Sequence, residues 1–144
     1  MRVKLLRVRE STGERISDPR QAYELLKEVA SADRECMWVL HLNSHMEVIE
    51  KELVAVGTLD QSLCYPREIF KKAILNSADS IITAHNHPSG RLEPSENDRQ
   101  VWERLDKAGE ILNIEVRDHL IISVKGFYSH RSGQYEYPEA DHIK

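Results

Sequence analysis

Residues 80–98 read Ser80-Ile81-Ile82-Thr83-Ala84-His85-Asn86-His87-Pro88-Ser89-Gly90-Arg91-Leu92-Glu93-Pro94-Ser95-Glu96-Asn97-Asp98. The opening SIITA is short, apolar and unbroken, the pattern of a central strand buried on both faces. It runs directly into His85. The following stretch, 86–94, is rich in Asn, Pro, Ser and Gly, which marks a loop. Ser95 then starts a helix, with Val101, Trp102, Leu105 and Ala108 inward and Gly109 as its expected stop. A buried strand, a loop and a capped helix in this order place the segment in an α/β protein.

The same stretch carries the chemistry. In an extended chain residues i and i+2 project to one side, so His85 and His87 present two imidazoles together. Pro88 and Gly90 turn the chain, and the helix can carry Asp98 back over the strand end. Two His, one Asp and a position left for water form the ligand set of a catalytic zinc site; structural sites are usually closed and Cys-rich. Ser95 with an acidic residue three positions on is also an ordinary capping box. The two His in fixed spacing with that box are what favour a metal.

His85-x-His87-Pro88, six residues, then Ser95-x-x-Asp98 resembles the JAMM motif of JAB/MPN metalloproteases. The longer string HNHPSG…PS..D, with Gly57-Thr58-Leu59, Pro66-Arg67-Glu68-Ile69-Phe70 and Asp118-His119, resembles the RadC family over about residues 31–131. The resemblance implies a JAB/MPN fold, a cytidine-deaminase-like mixed-sheet sandwich with flanking helices, holding Zn2+ on His85, His87 and Asp98. It also implies a catalytic glutamate early in a strand. Asp33-Arg34-Glu35-Cys36-Met37-Trp38-Val39-Leu40 matches that segment, which makes Glu35 the counterpart. Glu35 would move the proton of a water and Ser95 would support an oxyanion, in cleavage of a peptide or isopeptide bond. His119 matches the family's Asp-His pair, and a structural role is expected of it. Cys36 stands where relatives tend to have an aromatic, and is expected to be a small buried hydrophobe.

Outward from this segment, residues 2–9 alternate loosely and suggest an edge strand, which could pair across a dimer. Asp18-Pro19 starts a helix over 19–31. Strands are expected at 35–42 and 46–56, joined by an Asn43-Ser44 turn. A helix follows from Pro66 to about Ala78. Further strands are expected at 111–116, 119–124 and around 127–130, so that 1–131 forms one domain and 132–144 a loose tail. His41, His45, His130 and His142 match no ligand spacing and are expected at the surface or in turns.

The chain has 144 residues, enough for one core, and a net charge of −4. Neither an apolar run of membrane-spanning length nor a signal-like segment is visible, and Cys36 and Cys64 form no disulfide framework, so a reduced cytoplasmic protein is expected. The acidity gives no global footprint for nucleic acid. The rival reading is a DNA-repair-associated or non-catalytic interaction module, as the RadC label and inactive JAB scaffolds imply. Longer family members carry an N-terminal helix-hairpin-helix segment, whereas this chain is expected to begin almost at the JAB-like domain. Arg67, Lys71, Lys72, Arg91, Arg99 and Arg104 leave room for a local phosphate-facing patch. A nucleobase deaminase would need a PCxxC ligand pair, which is missing.

Overall fold

The computed structural model describes residues 11–56 and 65–138. The expected strand at 2–9, the Gly57-Thr58-Leu59 motif, Cys64 and His142 lie outside these residues. The chain forms a mixed six-stranded sheet and three helices, the α/β class read from the sequence. In order they are α1 (Pro19–Leu26), β1 (Cys36–Leu42), β2 (Val48–Val56), α2 (Pro66–Leu75), β3 (Ser80–Asn86), α3 (Glu96–Leu112), β4 (Glu115–Ile122), β5 (Phe127–Ser129) and β6 (Gln134–Glu136). The strand order is β2-β1-β3-β4-β5-β6; β3 and β4 are parallel and the other pairs antiparallel.

β3 is buried at every position, as its continuous apolar run requires of a strand covered on both faces. Met37, Val39 and Ile81 pack with Ile69, Phe70 and Ala73 of α2 and Val101 and Leu105 of α3. Leu40, Leu42, Ile82 and Ala84 pack with Ala22, Tyr23 and Leu26 of α1. The two-residue alternation of a strand therefore sends odd positions of β3 toward α2 and α3, and even positions toward α1. His85 shares the α3 side with Thr83, and Asn86 shares the α1 side with Ala84.

Several boundaries differ from the sequence expectations, each for a physical reason. α1 gives way at Lys27 to a short 3-10 turn, with the Ala30 N–H donating to the Lys27 carbonyl at 3.2 Å. α2 stops before Ala78 because Ser77 turns into the left-handed region (φ 53°) and the Ala78 N–H closes the helix end on the Ala73 carbonyl (2.9 Å), while the Asn76 side-chain amide donates to His41 Nδ1 (2.9 Å) and Glu50 Oε1 (3.2 Å). α3 passes Gly109 and ends at Leu112, capped by left-handed Asn113 (φ 57°). Gly109 answers a packing need instead: a Cβ there would stand 2.6 Å from the Ile114 carbonyl oxygen. The expected strands at 111–116 and 119–124 are one strand, β4, whose pairing with β3 shifts between Ile81 and Ile82. Residues 134–136, expected in a loose tail, form β6 against β5. Gly126 permits this, since a Cβ there would collide with the Glu136 carbonyl.

Candidate metal centre

Three elements deliver the centre. The end of β3 supplies His85, the first loop residue supplies His87, and the first turn of α3 supplies Asp98. Asp98 is held by reciprocal capping: its N–H donates to Ser95 Oγ (3.0 Å), and the Ser95 N–H donates to Asp98 Oδ2 (2.9 Å). Asp98 thus completes the capping box with Ser95 and also turns its carboxylate to the histidines. Asp98 Oδ1 lies 3.2 Å from His85 Nε2, and Asp98 Oδ2 lies 3.2 Å from His87 Nε2. The two Nε2 atoms are 3.2 Å apart. Among the described residues, His85, His87 and Asp98 form a group whose ligand atoms all lie within 4.8 Å of one another and could hold a metal ion.

The tautomers suit a cation. His87 Nδ1 faces the Arg91 carbonyl at 2.8 Å and must donate to it, which leaves the Nε2 lone pair directed at the centre. His85 is 2% exposed, and its Nδ1 has no partner among the described residues. Two imidazole nitrogens in van der Waals contact beside a carboxylate repel unless a proton or a metal ion lies among them. An N,N,O donor set around such a point fits the open zinc site expected from the spacing. Burial opposes ionisation of Asp98, but the adjoining His85 and His87 side chains and the Ser95 N–H outweigh it and hold its carboxyl well below the usual range. The bond to Asp98 pushes His87 up against the opposing effect of burial, with smaller contributions from the Arg91 carbonyl and from Glu35.

Glu35 stands one residue ahead of β1. Met37, two residues on, pairs with His85 in the β1–β3 ladder, which brings the start of β1 to the end of β3 that carries the candidate ligands. The Glu35 charge acts on His87, in keeping with that position. Ser95 is exposed. Because its oxygen accepts the Asp98 N–H, its own hydroxyl proton is available to a neighbour. Cys36 is buried, and burial pushes its thiol up, with Asp33 adding to the effect. It is the small buried hydrophobe expected, with no thiolate character.

The remaining histidines depart in part from expectation. His41 is fully buried, with Nε2 3.0 Å from Glu52 and Nδ1 facing Asn76. Its place inside the nearly continuous apolar run of β1 was the available signal. His130 packs against the Trp102 ring at 4.6 Å between centroids. His45 lies exposed in the β1–β2 turn, as expected. His119 is fully buried and does not touch the three candidate ligands directly. Its Nδ1 lies 2.6 Å from Thr83 Oγ1, its Nε2 lies 2.8 Å from Asp106 Oδ1, and its ring stacks on Trp102 at 5.4 Å. Of the basic residues noted for a phosphate-facing patch, Lys72 is paired with Glu50 at 2.6 Å and Arg67 lies over the Tyr65 ring at 4.4 Å.

A mixed sheet whose inner strand ends in a His-x-His pair, met by an Asp from a capped helix, defines a JAB-type domain with a candidate metal site. The RadC-like JAB domain family matches residues 16–135. Similar proteins include a UPF0758 protein of Finegoldia magna, 45% identical over 121 residues (83% of this chain, 54% of that protein). Another, from Rubrobacter xylanophilus, is 50% identical over 115 residues (79% and 50%). A third, from Thermotoga maritima, is 39% identical over 128 residues (89% and 58%). The chain belongs to the RadC-like JAB domain family. It spans about half the length of these relatives, whose names state no activity.

Proposed function

We propose that the chain is a zinc-dependent hydrolase of JAMM type that cleaves a peptide or isopeptide bond in a peptide or protein substrate. The observation that carries this reading is the convergence of His85, His87 and Asp98 within 4.8 Å, with Glu35 near enough for its charge to act on His87. His85 Nε2, His87 Nε2 and one Asp98 oxygen would hold the ion. Zinc in such a site supplies Lewis acidity, which brings the pKa of a water toward neutrality and polarises a carbonyl. Glu35 takes up the proton of the attacking water and returns it to the leaving amine. Ser95 donates its hydroxyl proton to the oxygen that gains charge. The capping box keeps the Asp98 carboxylate oriented throughout, and the Arg91 carbonyl keeps His87 in the ligating tautomer.

Among the described residues no helix is long and apolar enough to cross a membrane. Metal analysis of the purified protein should find about one zinc per chain, lost in the His85→Ala/His87→Ala variant. A peptide-library cleavage screen then compares wild type with Glu35→Gln. Stoichiometric absence of metal would sink the proposal, and equal cleavage by both proteins would remove Glu35 from the mechanism.

A further inference from the structure

Between the two candidate ligand histidines sits Asn86, and it faces the other way. Strand alternation turns its side chain to the α1 side of the sheet, where it is fully buried. There it makes three hydrogen bonds to one short stretch of backbone. Asn86 Oδ1 accepts the Cys36 N–H at 2.8 Å. Asn86 Nδ2 donates to the Arg34 carbonyl at 2.9 Å and to the Ala32 carbonyl at 3.2 Å. Arg34 and Cys36 are the residues on either side of Glu35.

Residues 31–35 belong to neither helix nor strand, and β1 begins only at Cys36. A carboxamide is the one side chain of this length that offers an acceptor and two N–H donors together. Aspartate would keep the acceptor and lose both donors, and alanine would lose all three bonds. A buried side chain satisfied in this way fixes the backbone it binds, because releasing any of these bonds strands a polar group away from water.

We propose that Asn86 is the positioning residue for Glu35: the His-Asn-His segment sets two ligands with one face of the strand and orients the base with the other. This rests on the hydrolase reading for its catalytic meaning, while the backbone clamp itself is tested independently of activity. The separation of roles is specific. Loss of the clamp should leave the ligand set in place and misplace only the proton-transfer group.

The test uses the whole chain, loaded with zinc, as Asn86→Asp and Asn86→Ala. Amide hydrogen exchange followed by NMR should show the Cys36 N–H exchanging at least about tenfold faster in Asn86→Ala, with zinc stoichiometry unchanged. With a fluorogenic peptide chosen from the library screen, kcat of Asn86→Asp should fall at least about tenfold while KM stays within about twofold. The double variant Asn86→Asp/Glu35→Gln should be no slower than Glu35→Gln alone, because a misplaced base and a missing base are the same loss. A Cys36 amide unchanged in Asn86→Ala would overturn the clamp, and multiplicative losses in the double variant would overturn its link to Glu35. Should both variants unfold, the wild-type Asn86 side-chain NH2 decides: slow exchange supports the clamp and free exchange overturns it. If Glu35→Gln cleaves normally, the hydrolase reading loses its base, and the exchange result still stands on its own.

Discussion

Replacing Asp106 by alanine removes a half-buried hydrogen bond to a fully buried histidine, and its loss can be sized from its surroundings. His119 is fully buried. If its Nε2–H donates to Asp106 at 2.8 Å, its Nδ1 can accept the Thr83 hydroxyl at 2.6 Å, and the neutral ring is satisfied at both nitrogens. Asp106→Ala strands that N–H, at a cost of about 1–3 kcal/mol. The Arg131 guanidinium, 3.1 Å from the same oxygen but half exposed, adds at most about 1 kcal/mol. For a chain of this size about 2–3 kcal/mol corresponds to a drop in Tm of roughly 6–12 °C. Urea unfolding at neutral pH measures the loss directly. In a His119→Phe background the same substitution should cost under about 1 kcal/mol, because only the arginine contact remains. A loss below about 0.5 kcal/mol in the wild-type background, outside the usual range for a stranded buried donor, would refute the assignment. The pH dependence has one sign. Burial pushes His119 down despite Asp106, so the unfolded chain takes up a proton below about 6.5 that the folded chain refuses. Asp106 is held low by His119 and Arg131, which outweigh its burial, and its contribution is lost as pH falls through that lowered value. Both groups make the fold weaken as the solution is acidified from neutrality.

Other substitutions and conditions are equally definite. Gly109→Ala should destabilise by about 1–3 kcal/mol in thermal melts, because the 2.6 Å approach to the Ile114 carbonyl outweighs the gain of roughly 1 kcal/mol in helix propensity. A neutral or stabilising result would show that α3 can shift away from the turn into β4. Zinc affinity, followed by chelator competition, should decline on acidification by about tenfold per pH unit for each ligand imidazole that a proton occupies, beginning above the pH where a free imidazole titrates. His87 is raised by its bond to Asp98, so a proton competes for its lone pair earlier than usual. A profile flat down to about pH 5.5 would show that His87 is not a ligand. Asp18→Ala should cost about 1 kcal/mol in urea unfolding, since the Asp18 carboxylate accepts the Gln21 N–H at 2.9 Å at the start of α1. No loss would show that the α1 start is held by its packing alone.

What could be read without coordinates followed from local rules. The unbroken apolar run identified β3 as an inner strand, and the spacing of His85, His87 and Asp98 was legible because two residues along a strand and one capped turn fix directions independently of the rest of the chain. The Asp18-Pro19 start of α1 and the Asn43 turn were local in the same sense. Contacts between distant residues decided what was missed. Gly109 has the chemistry of a helix stop, but the close pass of Ile114 determines its role. His41 looked like a surface residue until Asn76, from the end of α2, closed over it. The register of β6 against β5 depends on a backbone approach at Gly126 that no periodicity reveals.

The placement of Asp98 also has a longer-range cause within α3. Asp98, Trp102 and Asp106 are spaced four apart, so they form one stripe along the helix. Asp98 meets His85 and His87, the Trp102 ring lies 6.1 Å from His85 and 5.4 Å from His119, and Asp106 binds His119. The facing residues are just as regular: Thr83 and His85 are two apart on β3, and Thr83 pairs with His119 across the parallel ladder. Three successive contacts thus fix both the rotation and the slide of α3 on the sheet. A turn of the helix by one residue would swing Asp98 by about 100° and remove it from both histidines. The buried Asp106–His119–Thr83 chain and the Trp102 stack therefore act as the far end of the same lever that carries Asp98 to the candidate metal centre.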